Sequence, residues 1–307
     1  MGRRLRYLMM AAALPGGLVV GPAPAGAAPI SCGATITVST TLAEDMTCPG
    51  DGLVIGAPGV VLDLGGHTLR GPGATFFAQD AGVRVEAMQA TVRNGRIEGF
   101  RFGVHVAGGS NGSRVEGLWL DGNGDGVHVL SSSNRIAQSS MTHSNVVGVF
   151  LAGSGNVVEG NSLQQNLAGV FMVGPGHDIV GNDIVGEDGD DRGILAFFGG
   201  RVLNNRVSHY GGAAGIEILR GGEITGNQVS FTVDGIRAGP GTLVTGNVVF
   251  ANADDGIHAE PGAIVGANVA VQNRDLGIEA PGAFDAGGNR AFANGNPLQC
   301  AGVACSG

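Results

Sequence analysis

The stretch Gly148-Val149-Phe150-Leu151, then Asn156-Val157-Val158-Glu159-Gly160-Asn161-Ser162-Leu163 and Asn166, decides the fold. Its apolar residues alternate within segments of three to five residues, and Gly or Asn separates the segments. Such segments are too short for helices and suit strands that turn Val, Ile and Leu to one side. The pattern recurs on both sides of the stretch. A Gly followed by Val or Ile stands at Gly82, Gly103, Gly126, Gly148, Gly169, Gly193, Gly215, Gly235, Gly256 and Gly277, with gaps of 21, 23, 22, 21, 24, 22, 20, 21 and 21. A second marker runs in phase at Asn161, Asn182, Asn205, Asn227, Asn247, Asn268 and Asn289, with gaps of 21, 23, 22, 20, 21 and 21. An insertion shifts both markers together, as stacked coils require.

The reading is therefore an all-β parallel solenoid with three strands per coil and turns at Gly and Asn. Asn tolerates the left-handed backbone of a sharp corner, and its amide can hydrogen-bond to the Asn stacked on it. Leucine-rich repeats fall in the same length range but need several fixed Leu per repeat, which are missing. Counting from Leu53 gives about eleven coils, a rod of roughly 50 Å at ~4.8 Å per strand. Coils that cover one another leave two ends to be capped.

Composition narrows the function. Of 307 residues 58 are Gly, yet the three-residue period of collagen is absent. With 43% hydrophobic and 14% charged residues the chain is not of the disordered class. All 17 basic residues are Arg, so no Lys can serve in catalysis, and a net charge of -9 without basic clusters argues against nucleic acid.

Arg3, Arg4 and Arg6, an apolar stretch from Tyr7 to Val20 and Ala25-Gly26-Ala27 read as a signal peptide over residues 1–27. The apolar stretch is shorter than the ~20 residues of a membrane span and is interrupted by Pro15-Gly16-Gly17. The expectation is a secreted or periplasmic monomer with no span after signal removal. Its 14 remaining Arg against 26 acids give -12, so anionic surfaces repel it unless a cation bridges. The four cysteines fit export. Local pairing, Cys32 with Cys48 and Cys300 with Cys305, is the simplest of three connectivities. A four-thiolate metal site would need the two ends of a rod to meet. The expected organisation is a disulfide cap over 28–52, the solenoid over 53–296 and a second disulfide cap over 297–307.

The segment from Cys32-Gly33 to Cys48-Pro49-Gly50-Asp51-Gly52-Leu53-Val54-Ile55-Gly56, with Val61-Leu62-Asp63-Leu64-Gly65-Gly66-His67-Thr68-Leu69, resembles the start of exported bacterial members of the right-handed parallel β-helix repeat family, within the pectate-lyase-like superfold. Asn296-Pro297-Leu298-Gln299-Cys300, closing through Cys305, is similar to their C-terminal cap. The resemblance spans about residues 32–305 and implies the right-handed coil. Its members include lyases, hydrolases, epimerases and proteins without known chemistry, so fold alone does not choose among them.

If the Val or Ile after each marker Gly points inward, the next residue points out. That column reads Arg84, His105, His128, Phe150, Phe171, Leu195, Glu217, Arg237, His258, Glu279. Members of the superfold that act on polysaccharides often place their sites on such a face. The charged end is the stronger candidate. Asp234 and Asp255 lie one rung apart, about 5 Å, and paired carboxylates can divide acid and base work on a glycosidic bond. Asp234, Asp255 and His258 are the candidate catalytic residues, and Glu217, Arg237 and Glu279 the candidate substrate-binding ones. The acids could instead hold Ca²⁺, and Arg237 could bind a substrate carboxylate. A cross-rung Glu217–Arg237 ion pair and an Asp chosen for its turn before Gly are the plainer alternatives.

At the other end of the column His105, His128 and Asp125 are short of a full Zn²⁺ or Cu²⁺ ligand set. The run Glu187-Asp188-Gly189-Asp190-Asp191 reads as a bulged loop, and the insert Gly71–Gln79 as a flap over the lateral face or a cap on the core. Only 15 aromatic residues argue against a long sugar-stacking platform. Two functions follow: a lateral face that binds, and in a fuller version processes, an extracellular polysaccharide, or a non-catalytic structural or surface-display solenoid. No complete lyase, hydrolase or epimerase motif is found.

Overall fold

The computed structural model describes residues 30–75, 77–187 and 189–307. The expected signal peptide lies outside the described residues, as do Phe76 and Asp188. From Ser31 to Gly307 the chain is one body, and its described residues form only short strands, turns, bends and irregular links. Three strands make each coil. One strand of each coil enters a thirteen-stranded lateral sheet that runs from Ala34–Ile36 through Leu53–Ile55 to Cys300–Ala301. The other two enter ladders that begin at Thr40–Thr41 and Met46–Thr47 and are joined where Thr91–Glu98 and Arg114–Asp121 run through both. Every pairing described is parallel. The result is a right-handed parallel β-helix of about twelve turns.

The register follows the sequence markers. Val104 pairs with Val127, Val127 with Val149, and so on to Ile257 with Ile278. Each Val or Ile after a marker Gly, from Val83 to Ile278, is at most 1% exposed. Burying one such side chain contributes roughly 1.5–3 kcal/mol, and the stack repeats that gain at every rung.

The marker glycines have a different cause from the one expected. They lie in or beside strands, as Gly103 does in Phe102–Val106, rather than in turns. A Cβ on Gly235 would stand 2.4 Å from the carbonyl oxygen of Gly256, and one on Gly126 2.5 Å from that of Gly148. Glycine is needed there because successive rungs touch backbone to backbone.

The asparagine markers also carry a correction. The left-handed residue is the one before each Asn: Gly160 (φ 61°), Gly181 (φ 62°), Asn204 (φ 55°) and Ala267 (φ 55°) precede ladder asparagines. The Asn itself turns inward and is chosen for its amide. The Asn161 N–H and Nδ2 donate to Asn182 Oδ1 at 2.9 and 3.0 Å, and the pattern continues through Asn205, Asn227, Asn247 and Asn268 to Asn289. The second Nδ2 hydrogen reaches a carbonyl of the preceding coil, as from Asn182 to Val158 at 2.9 Å. Every amide valence is used, which is what permits a polar stack inside an apolar core. Shorter ladders run through Asn252, Asn273 and Asn294, and through Asn134, Asn156 and His177.

Both disulfides form as expected, Cys32–Cys48 and Cys300–Cys305. The coil register runs through the segments they close: Ala34 pairs with Leu53, Ile278 with Cys300 and Asn289 with Cys305. The 71–79 insert reaches the edge of the lateral sheet, where Ala74 and Thr75 line a cavity of about 170 Å³ with Arg101, Gly124, Asn145 and Val146. Around the acidic run, the Glu187 N–H donates to Asp190 Oδ2 at 2.6 Å and the Asp190 N–H returns to the Glu187 carbonyl at 3.1 Å, closing a turn.

Candidate functional site on the lateral sheet

Cross-rung pairing places the whole outward column in register: Arg84 with His105, His105 with His128, Leu195 with Glu217, Glu217 with Arg237, Arg237 with His258 and His258 with Glu279. Neighbours in it are one strand spacing apart, ~4.8 Å. At the charged end, Glu217, Leu219, Arg237, Pro240, His258 and Glu260 line a groove of about 330 Å³.

The candidates of that end divide into two groups. Asp234 is only 2% exposed, and both its oxygens are engaged: Oδ1 accepts the Asp255 N–H at 3.2 Å and Oδ2 accepts Arg237 Nε at 2.6 Å. A carboxylate engaged in this way positions Arg237. The Arg237 side chain remains 48% exposed on the groove. Glu217 does not pair with Arg237; its Oε2 lies 3.1 Å from Arg192 Nε. Asp255, His258 and Glu279 converge. His258 Nδ1 lies 2.7 Å from Glu279 Oε2 and 3.6 Å from Asp255 Oδ2, and Nε2 lies 3.9 Å from Glu260 Oε1. Burial first, then the proton shared with Glu279 and the charges of Glu279 and Asp254, push the Asp255 carboxyl up to about 6, although the Leu276 N–H opposes them. Burial, then the charges of Asp234, Asp275 and Glu279, raise Asp254.

At the first end of the column the arginines are paired, Arg84 with Asp51 at 3.0 Å and Arg101 with Asp125. Asp125 accepts Arg101 Nη1 at 2.7 Å and faces His128 Nδ1 at 2.6 Å, and Arg84 Nη1 lies 3.4 Å from His105 Nδ1. Burial, followed by the charges of His128 and Arg84, pushes His105 down to about 4. His105, His128 and Asp125 form no three-ligand cluster among the described residues.

The middle of the column holds more aromatic surface than composition suggests. Phe102, His105, His128, Phe150, Phe171 and Phe197 are linked by centroid distances between 4.5 and 5.8 Å. His128 and Phe150 stack at 7° and Phe150 and Phe171 at 13°, so these rings cover each other's faces and turn their edges outward. Sugar stacking needs a free ring face. The stripe instead walls a largely apolar groove of about 370 Å³ between Arg101 and Asp191.

Sequence reading missed Arg101, Arg192 and Glu260. A signal for Arg101 was present: Asp-Gly-Val/Ile-His/Arg recurs at 125–128, 234–237 and 255–258, and a buried Asp demands a cation nearby.

Fold and column together make the chain a right-handed parallel β-helix protein. Residues 74–210 match the family model described as periplasmic copper-binding protein (NosD). The two disulfides and that description agree with a secreted or periplasmic location. A periplasmic alginate epimerase, AlgG, aligns with a TM-score of 0.51 at 13% identity, over 90% of this chain and 79% of its own. The catalytic domain of a GH87 alpha-1,3-glucanase bound to nigerose aligns with a TM-score of 0.59 at 12% identity, over 94% and 70%. At these identities the likeness is one of fold. A search of curated proteins finds no match. Among the described residues no helix is long and apolar enough to cross a membrane.

Proposed function

We propose that the late coils of the lateral sheet, from Glu217 to Glu279, bind an extracellular polysaccharide along the groove that Glu217, Arg237, His258 and Glu260 line. The observation that carries this reading is the half-exposed Arg237, fixed by Asp234 and lining the same groove as Glu217, His258 and Glu260. A guanidinium donates to paired hydroxyl or carboxylate oxygens, and the carboxylates accept from hydroxyls. Rungs ~4.8 Å apart repeat these groups at about the rise of one sugar unit. The names of the alginate epimerase and the glucanase that share the fold lend support.

Processing, the finer half of the reading, would run through Asp255 with His258 and Glu279, because Asp255 holds its proton up to a pH of about 6. The test is a panel of neutral and uronate glycans, with and without Ca²⁺, scored for binding and for chain cleavage or epimerisation. Arg237→Ala is expected to weaken binding at least tenfold, and Asp255→Asn to abolish turnover while binding persists. A folded wild type that binds no glycan in the panel overturns the reading and leaves the structural or surface-display solenoid.

A further inference from the structure

Three coils carry the same four-residue pattern at the same place in the lateral sheet, and they differ in how the buried Asp is neutralised. Asp125 has Arg101 at 2.7 Å and His128 at 2.6 Å. Asp234 has Arg237 at 2.6 Å and a backbone N–H. Asp255 has no arginine. Its Oδ1 accepts the Leu276 N–H at 2.9 Å, while the carboxyl meets only Glu279, with which it shares a proton, and His258 Nδ1 at 3.6 Å from Oδ2. Oδ2 faces His258 Nδ1 and the Glu279 carboxylate, on a side chain that is only 7% exposed. Two carboxylates meet there where the other copies set a carboxylate against a guanidinium, and Asp254 and Asp275 crowd the same Asp255. Two carboxylates there, one of them buried, oppose each other unless a shared proton or a cation joins them, and a bound metal ion can replace the proton.

We propose that Asp255, His258 and Glu279 bind one divalent ion of the Zn²⁺ class, which supplies at the third copy the charge that Arg101 and Arg237 supply at the first two. One ligand atom from each of the three lies within 4.8 Å of the others. An imidazole nitrogen with two carboxylate oxygens is a Zn²⁺-type set, whereas Ca²⁺ takes oxygen ligands alone, so the ion differs from the Ca²⁺ that the acids by themselves suggest. Three protein ligands leave a position open to water or to a hydroxyl of a bound molecule. Glu260 Oε1 lies 3.9 Å from His258 Nε2, beyond hydrogen-bond distance, and a side-chain rotation would bring it to the outer nitrogen of a metal-bound imidazole. The site lies outside the residues that match the NosD model.

The test titrates the folded, metal-stripped protein with Zn²⁺ alone, and with Ca²⁺ alone, by calorimetry; Co²⁺ absorption provides a second readout. No glycan is present, so failure here is separate from failure of polysaccharide binding. One Zn²⁺ per chain is expected, bound at least tenfold more tightly than Ca²⁺. His258→Ala and Glu279→Gln should each weaken Zn²⁺ at least tenfold, and Glu279→Arg, which sets a guanidinium against Asp255 from the next rung, should abolish uptake while raising the melting temperature of the metal-free protein. His128→Ala should leave uptake unchanged. Absence of Zn²⁺ binding by folded wild type overturns the proposal, as does uptake that survives both His258→Ala and Glu279→Arg. A preference for Ca²⁺ that ignores His258→Ala also overturns it.

Discussion

His177 shows how much one residue can reveal about the coil. It occupies a ladder position, accepting the Asn156 N–H on Nδ1 at 3.1 Å, yet Nε2 finds no hydrogen-bond partner. The ring is fully buried, and that burial pushes its pKa down to about 4 from 6.5. The imidazole must therefore be neutral in the folded coil. Its contribution to stability is complete above pH 6.5 and is lost as pH falls from 6.5 through 4, because the unfolded chain takes up the proton first. A shift of that size corresponds to up to about 3 kcal/mol. Asn at this position would continue the amide ladder without a titrating group. His177→Asn should flatten the fall in unfolding free energy between pH 7.5 and 4.5 by about 1–3 kcal/mol, measured by urea denaturation. An unchanged fall would refer the acid sensitivity to other groups, His105 among them.

Strands and corners in this protein obey the contact between neighbouring rungs more than any local preference. The period, the strand content and the inward Val and Ile column were legible in the sequence because a stacked coil writes the same side chain into each turn. The reason for each Gly was not legible, since two unrelated constraints select the same residue. Gly193 keeps a Cβ from standing 2.3 Å from Val207 Cγ1 and 2.4 Å from the Gly215 carbonyl. Gly160 has open space around it and a φ of 61°. Gly160→Ala is thus expected to cost about 1 kcal/mol of backbone strain. Gly193→Ala, which forces two rungs apart, should cost about 3 kcal/mol or more. Denaturant midpoints of the two variants decide it, and equal losses would mean that rung contact is not what selects the marker glycines. The outward column was legible for the same reason as the fold. The difference between its two Asp was not, because both begin Asp-Gly-Ile, and besides Arg237 against His258 three residues on they differ in the Glu279 carboxylate that the next rung brings to Asp255.

For the body from Ser31 to Gly307, stability is a chain of nearest-neighbour contacts, so its ends decide where it opens. An end coil is covered on one face only, and its strands in the first turn are two or three residues long: Ala34–Ile36, Thr40–Thr41 and Met46–Thr47. Cys32–Cys48 spans 16 residues and ties the start of this coil to its third strand, whereas Cys300–Cys305 spans five and closes a turn. On loop length alone the first bond contributes about 3 kcal/mol and the second about 2 kcal/mol. The first also holds shut a coil that has little burial of its own. Cys32→Ala/Cys48→Ala should therefore abolish amide protection over Ala34–Thr47 before any other segment, with the loss passing to Leu53–Ile55 at higher denaturant. Cys300→Ala/Cys305→Ala should leave that end untouched and free only Cys300–Ser306. Hydrogen exchange read by mass spectrometry separates the two patterns. Simultaneous loss of protection along the whole solenoid in either variant would mean that the coils fold as one cooperative block, and that the disulfides act on the denatured chain rather than on the ends.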